Sequence, residues 1–301
     1  MTDVREMIRD KVKEAVEKKL EGLFIDFLTK EFVERRKYRE LLAVWLIAHP
    51  ELYSYPKILE VECYHREYCR VGDTRILEYK AIMAITRQIV KSYESELVLN
   101  AQNALDGIIR NPSSVDEKIT TRQIYTSTLN SLKEGIQKYV ENQESTLKFN
   151  VGYESIYLEP PKILSKAAEF ILERDRNVTG YFEKELIENI RVLSKEAKMA
   201  FVVLSAYPRT HNGAPFSLST FDVVWEVVSQ ESLKASKLNT GWVREELYKA
   251  GLIASADKNI VPPFALDIWK NAANIREIIP DVPPEVVARV RTILSWREVN
   301  D

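Results

Sequence analysis

Apolar residues recur every three or four positions through most of the first half of the chain. Val4, Ile8, Val12, Val16, Leu20, Phe24 and Leu28 form one stripe, which predicts an amphipathic helix with that face inward. Asp3 and Glu6 make a capping pair at its start. Thr29 is placed to cap a second helix. The first half of that helix is charged (Glu34, Arg35, Arg36, Lys37, Arg39, Glu40) and reads as a solvated face. Its second half, Leu41 to Ala48, is apolar at every position and is expected to be buried on all sides, with His49-Pro50 as the stop. Pro56 opens a short predicted helix to about Arg70, and Gly72-Asp73 breaks it. Asp73 or Thr74 then caps the longest predicted helix, which runs to Asn111-Pro112 on a stripe that includes Ile76, Met83, Val90, Tyr93, Leu97 and Ile108. Ser114 and Glu117 form a capping box for the next helix, whose stripe is Val115, Ile119, Leu129, Leu132, Ile136 and Tyr139.

The period changes at 147–158. Leu147, Phe149, Val151 and Tyr153 alternate with polar residues around Gly152, which fits a strand, a hairpin or a linker. Pro160-Pro161 starts another helix. A further one runs from Thr179 to about Ala206, and Pro208 ends it. The turn-rich stretch Arg209 to Pro215 marks a boundary. The organisation expected is a helical domain over 1–146, a linker strand or hairpin plus helical segment over 147–215, and a C-terminal domain over 216–301.

In that last region Ser219 and Asp222 cap a helix carrying Phe221, Val224, Trp225 and Val228. Leu233 and Leu238 mark a second, short helix. Thr240 caps a third, Gly241 to Ala250, with Trp242, Val243 and Leu247 inward. Gly251 sits at its C-cap, and Leu252-Ile253-Ala254 and Ile260-Val261 read as strands around the turn Ser255 to Asn259. The run Leu247-Tyr248-Lys249-Ala250-Gly251-Leu252-Ile253 resembles the point in a winged helix-turn-helix domain where the third helix feeds a β-hairpin wing. The resemblance covers roughly 216–262. Together with the helical periodicity of the first half, it gives a mainly α protein: a long-helix N-terminal bundle with a C-terminal winged-helix-like domain. It also implies a phosphate-binding rim of Lys234, Lys237, Arg244, Lys249 and Lys258 on duplex DNA. The alternative is a winged helix used for protein contact. Residues 263–301 add two helices split by Pro280, Pro283 and Pro284, suited to packing on that domain or to self-association.

Charge narrows the choice of partner. The formal net charge is −2, and 216–301 holds 10 basic against 12 acidic residues, so no region coats nucleic acid through bulk charge. The chain has no run of about 18 apolar residues and a charged N-terminus, hence no membrane span or signal is expected. Its Lys- and Glu-rich, Cys-poor composition is thermophile-like. Cys63 and Cys69 are too few for a disulfide framework and fit a reducing, cytoplasmic setting. On the predicted helix they point to different sides, which excludes a mutual disulfide and leaves Cys63, His65 and Cys69 without metal-site geometry. A single Glu62-x-x-His65 is half of what a di-iron site needs.

No phosphate-binding glycine loop or nucleophile elbow occurs, and the histidines are only His49, His65 and His211. The sequence therefore predicts no cofactor, no metal and no enzyme. Its first functional expectation is a DNA-associated adaptor that links protein partners to DNA in regulation, replication or segregation. The others are a protein-only scaffold docking through the winged helix, and a motif-less nucleic-acid-processing enzyme using carboxylate-held Mg²⁺. The 14 tyrosines fit protein interfaces as well as helix packing.

Overall fold

The computed structural model describes residues 4–49, 60–210 and 240–253, together with positions 288 and 292. The chain is mainly helical, with two small antiparallel sheets. It divides into two compact units, each built from two separate stretches: residues 1–37 with 77–170, and residues 38–76 with 171–301.

The first unit is led by helix α1 (Val4–Leu28). Its predicted stripe is its buried face, for Ile8, Val12, Val16, Leu20, Phe24 and Leu28 are all fully buried. Thr29 does not cap a new helix. The chain widens into a π-helical turn (Thr29–Val33) and stops where Arg36 takes a positive φ of 56°. The expected long helix from Asp73 is three elements. A strand, β3 (Thr74–Glu78), comes first, followed by α3 (Tyr79–Ser92) and α4 (Glu94–Arg110). The break between the helices falls at Tyr93, whose φ of −115° and ψ of 22° leave the helical region.

Helix α5 (Val115–Glu141) begins as the capping box predicts: Ser114 Oγ accepts from the Glu117 amide at 3.1 Å. Its buried face is rotated from the predicted one. Val115 and Ile119 are 73% and 49% exposed, while Glu117, Thr121 and Thr128 are buried with Leu132, Ile136 and Tyr139. Segment 147–158 is a hairpin of β4 (Leu147–Val151) and β5 (Glu154–Leu158), with Leu147 opposite Leu158 and Phe149 opposite Ile156. Gly152 takes φ 63° at the first central turn position, the conformation that glycine supplies in a type II′ hairpin turn. Tyr153, placed inward by the alternation, sits in this turn and is exposed.

Helix α5 lies along β4. Ser131 Oγ accepts from the Asn150 amide at 2.9 Å. One turn on, Gly135 meets the Lys148 carbonyl so closely that a Cβ there would stand 2.2 Å from its oxygen. The strand edge is thereby covered and cannot recruit another strand. Helix α6 (Pro160–Arg174) follows, with Ile163, Leu164, Ala167 and Ala168 buried.

In the second unit, helix α2 (Tyr38–Ile47) is buried at every position from Leu41 to Ile47, as its all-apolar sequence requires. It packs on β1 (Val61–Tyr64) and β2 (Tyr68–Val71), which with β3 form a sheet in the order β1-β2-β3. These strands replace the helix expected up to Arg70. Cys63 and Cys69 face each other directly across β1 and β2 and are joined by a disulfide. The pair is buried and oxidised, unlike the reducing setting expected from so few cysteines.

The bridge closes a short loop, with a sequence separation of 6, so it removes about 2 kcal/mol of unfolded-chain entropy. Reduction is expected to lower unfolding free energy by about that amount, read from urea melts with and without dithiothreitol. Superimposable melts would show that the bridge contributes no stability. Helix α7 (Arg176–Arg191) starts three residues before Thr179, capped by Asp175, which accepts from the Asn177 amide at 2.9 Å. A separate helix, α8 (Lys195–Thr210), continues past Pro208. Helix α9 (Thr240–Lys249) packs on α8.

Candidate functional site

The segment that carries the winged-helix resemblance is described over 240–253. Helix α9 starts at Thr240 and is closed by Gly251 at φ 74°. The Leu252 amide donates to the Leu247 carbonyl and the Gly251 amide to the Tyr248 carbonyl, both at 3.0 Å. This is a Schellman stop, whose hydrophobic partners Leu247 and Leu252 are both fully buried. Of the strand expected over Leu252-Ile253-Ala254, the described Leu252 and Ile253 form a buried bend instead. The two preceding helices, the rest of the wing and the C-terminal helices that the sequence predicts fall outside the described residues, as do Lys234, Lys237, Lys258 and His211.

Val243, Leu247 and Ala250 make the inner face of α9. Glu246 also turns inward. It accepts from the Ser194 amide at 2.7 Å and from the Ser194 hydroxyl at 2.8 Å, while Ser194 Oγ caps α8 by accepting from the Ala197 amide at 3.1 Å. The acidic residue thus locks the helix cap of its neighbour, 52 positions away. The outer face holds Trp242, Glu245 and Lys249. Trp242, expected inside, is 53% exposed. Lys249 pairs with Glu245 at 2.9 Å, and Arg244 is half-buried. Of the five rim cations predicted from sequence, the described structure places these two on one short helix.

Around Cys63 the geometry differs from the expected helix. His65 is at the tip of the β1–β2 turn, where it and Arg66 have φ of 44° and 62°. Glu62 accepts from Arg70 at 2.9 Å and from the Tyr64 hydroxyl. The Tyr64 and Tyr68 rings stack 5.2 Å apart, with Arg70 over Tyr64 and Arg75 over Tyr68. Their outward faces are thus occupied within the sheet. Among the described residues no group of His, Cys, Asp and Glu is disposed to hold a metal ion.

Arg39, expected on a solvated face, is held by α7: it donates to the Tyr181 hydroxyl at 2.9 Å and to Glu185 at 2.7 Å, and pairs with Glu60 at 3.0 Å. Burial alone would lower its pKa, but these partners raise it above its ordinary value. In the first unit, Tyr139 and Thr86 share a buried hydrogen bond of 2.7 Å, and burial pushes the Tyr139 phenol up to about 12. Both sites serve packing. The lock between Glu246 and Ser194 escaped the sequence reading because no local pattern pairs residues so far apart.

Among the described residues no helix is long and apolar enough to cross a membrane. No family model matches the chain, and no curated protein or solved structure matches it.

Proposed function

We propose that the chain is a non-enzymatic adaptor that docks a protein partner through the outer face of α9. The observation behind this reading is the composition of that face. Glu245 and Lys249 neutralise each other, so the group offered to a partner is the indole of Trp242, 53% exposed. A helix that reads base edges needs Arg, Lys, Asn or Gln pointing outward, whereas a half-exposed tryptophan is the side chain most enriched at protein hot spots.

The second reading, a DNA-associated adaptor, draws support from the Gly251 stop, the feature that the winged-helix resemblance requires. In that case Lys234, Lys237, Arg244, Lys249 and Lys258 form the phosphate rim. The two readings separate on one set of proteins. The immobilised full-length chain is expected to retain a stoichiometric partner from host extract. Lys249→Glu should keep it, and Trp242→Ala should lose it while melting close to wild type. Retention by Trp242→Ala would overturn the protein-docking reading. Salt-dependent binding of duplex DNA, abolished by reversing Lys234, Lys237 and Lys258 to Glu, would put the DNA reading in its place.

A further inference from the structure

The most exposed aromatic side chains of the first unit lie on one hairpin. Tyr153 in the β4–β5 turn is 90% exposed, and Tyr157 on β5 is 57% exposed. Neither contributes to the core, which this hairpin reaches through Phe149, Val151, Ile156 and Leu158. Each ring has a cation at its face. Arg5 of α1 stands 5.7 Å from the Tyr153 centroid, and Lys148 stands 5.1 Å from that of Tyr157. The Lys148 ammonium, donating to the Tyr157 phenol oxygen, draws its pKa below the ordinary tyrosine value. Between the rings, the Ser155 hydroxyl donates to Asn150 Oδ1 at 2.9 Å, which leaves the Asn150 amide donors for another acceptor. Three acids share Arg9 of α1 nearby: Asp10 at 2.8 Å, Glu6 at 3.3 Å and Glu154 of the hairpin at 3.8 Å.

We propose that this hairpin face binds single-stranded RNA. Tyrosine rings that stay in water without serving the core are stacking platforms for unpaired bases, and the cations beside them complement phosphates. Asn150, between the rings, can donate to a ribose 2′-hydroxyl, the group that distinguishes RNA from DNA. A duplex presents no free base faces and would not use the rings. The site is small and lies on a chain of near-zero net charge, so binding is stacking-led with a shallow salt dependence. This inference is independent of the docking role of α9, which belongs to the other unit.

The test is fluorescence anisotropy of a labelled ten-nucleotide oligouridylate with the full-length chain at 50 and 200 mM salt. Tyr153→Ala and Tyr157→Ala should each weaken binding about tenfold, and together about a hundredfold. Lys148→Gln should flatten the slope of log K against log salt by about 0.7. Trp242→Ala should leave binding unchanged. Should the double variant melt well below wild type, Tyr153→Ser alone carries the test, since that side chain is 90% exposed. The proposal is overturned if the wild type fails to bind at 50 mM salt, or if the ring variants bind as wild type does. Equal affinity for oligothymidylate or for duplex RNA also overturns it.

Discussion

Gly135→Ala is expected to destabilise the chain by about 3 kcal/mol, the upper part of the range for overpacking a tight contact. A methyl at this position would stand 2.2 Å from the Lys148 carbonyl oxygen and 3.3 Å from the Phe149 Cβ. The nearest obstacle is backbone rather than the end of a flexible side chain. Relief requires α5 and β4 to separate, which also stretches the bond from the Asn150 amide to Ser131. The helix itself would gain nearly 1 kcal/mol from losing a glycine, so the clash must exceed the observed loss by that amount. Gly22, Gly107 and Gly180 supply the control: they are helical, and nothing lies within 4 Å of an added Cβ. Alanine at any of the three is expected to raise stability by about 0.5–1 kcal/mol. Urea melts of the four variants check both signs, and a neutral Gly135→Ala would show that the helix–strand contact can relax.

Glu117→Ala should cost a similar amount, about 3 kcal/mol, by a different route. This carboxylate is fully buried, yet it accepts from Lys11 at 3.0 Å and from the Ser113 amide, which ties α1 to the start of α5. Removing it strands a part-buried amide and takes the ion-pair partner from Lys11. The Lys11 side chain is 43% exposed, so solvent screens the ion pair and the amide bond carries much of the cost. Glu117→Gln, which keeps an acceptor but no charge, should cost roughly half as much. Burial by itself would raise the Glu117 pKa. The Lys11 and Ser113 contacts outweigh that and leave it below the usual value. A depressed carboxyl stabilises the fold above its unfolded pKa, and that contribution fades as pH falls through the folded value. The gap between wild type and Glu117→Gln should therefore narrow on acidification below about pH 4. A gap independent of pH would show that charge plays no part.

What the sequence disclosed depended on how many residues carried each signal. The α1 stripe has seven positions, and the Leu41 to Ile47 run has no polar side at all, so both were legible. Strands β1 and β2 have four residues each, too few to establish a period of two. The spacing of Glu62, His65 and Cys69 fits a helix as well as Val61, Cys63, Cys69 and Val71 fit a hairpin. The buried face of α5 was misplaced because Glu117 and Thr121 lie on it. Glu117 is buried against Lys11, 106 positions away, and the Ser113 amide, while Thr121 donates its hydroxyl to the Glu117 carbonyl. Trp242 was turned inward by the rule that large apolar residues seek the core, although Val243, Leu247 and Ala250 already fill the inner face of so short a helix. The Gly251 stop of α9 was legible because capping is local chemistry. The rings of the β4–β5 hairpin were not, since alternation assigns faces and cannot see where a turn begins.

The interleaving of the two units has a consequence for synthesis. The first unit is complete once residue 170 has emerged, but the stretch 38–76 must wait for partners beyond 171. Among these partners are Tyr181 and Glu185, which hold Arg39. At a ribosomal rate of about 5–20 residues per second, the wait from 76 to 185 lasts on the order of ten seconds. Throughout it the all-apolar α2 has only its own hairpin to shelter it. Early closure of the Cys63–Cys69 bridge would keep that shelter in place, and a chaperone that recognises short apolar helices would find its target in the nascent chain rather than in the finished protein.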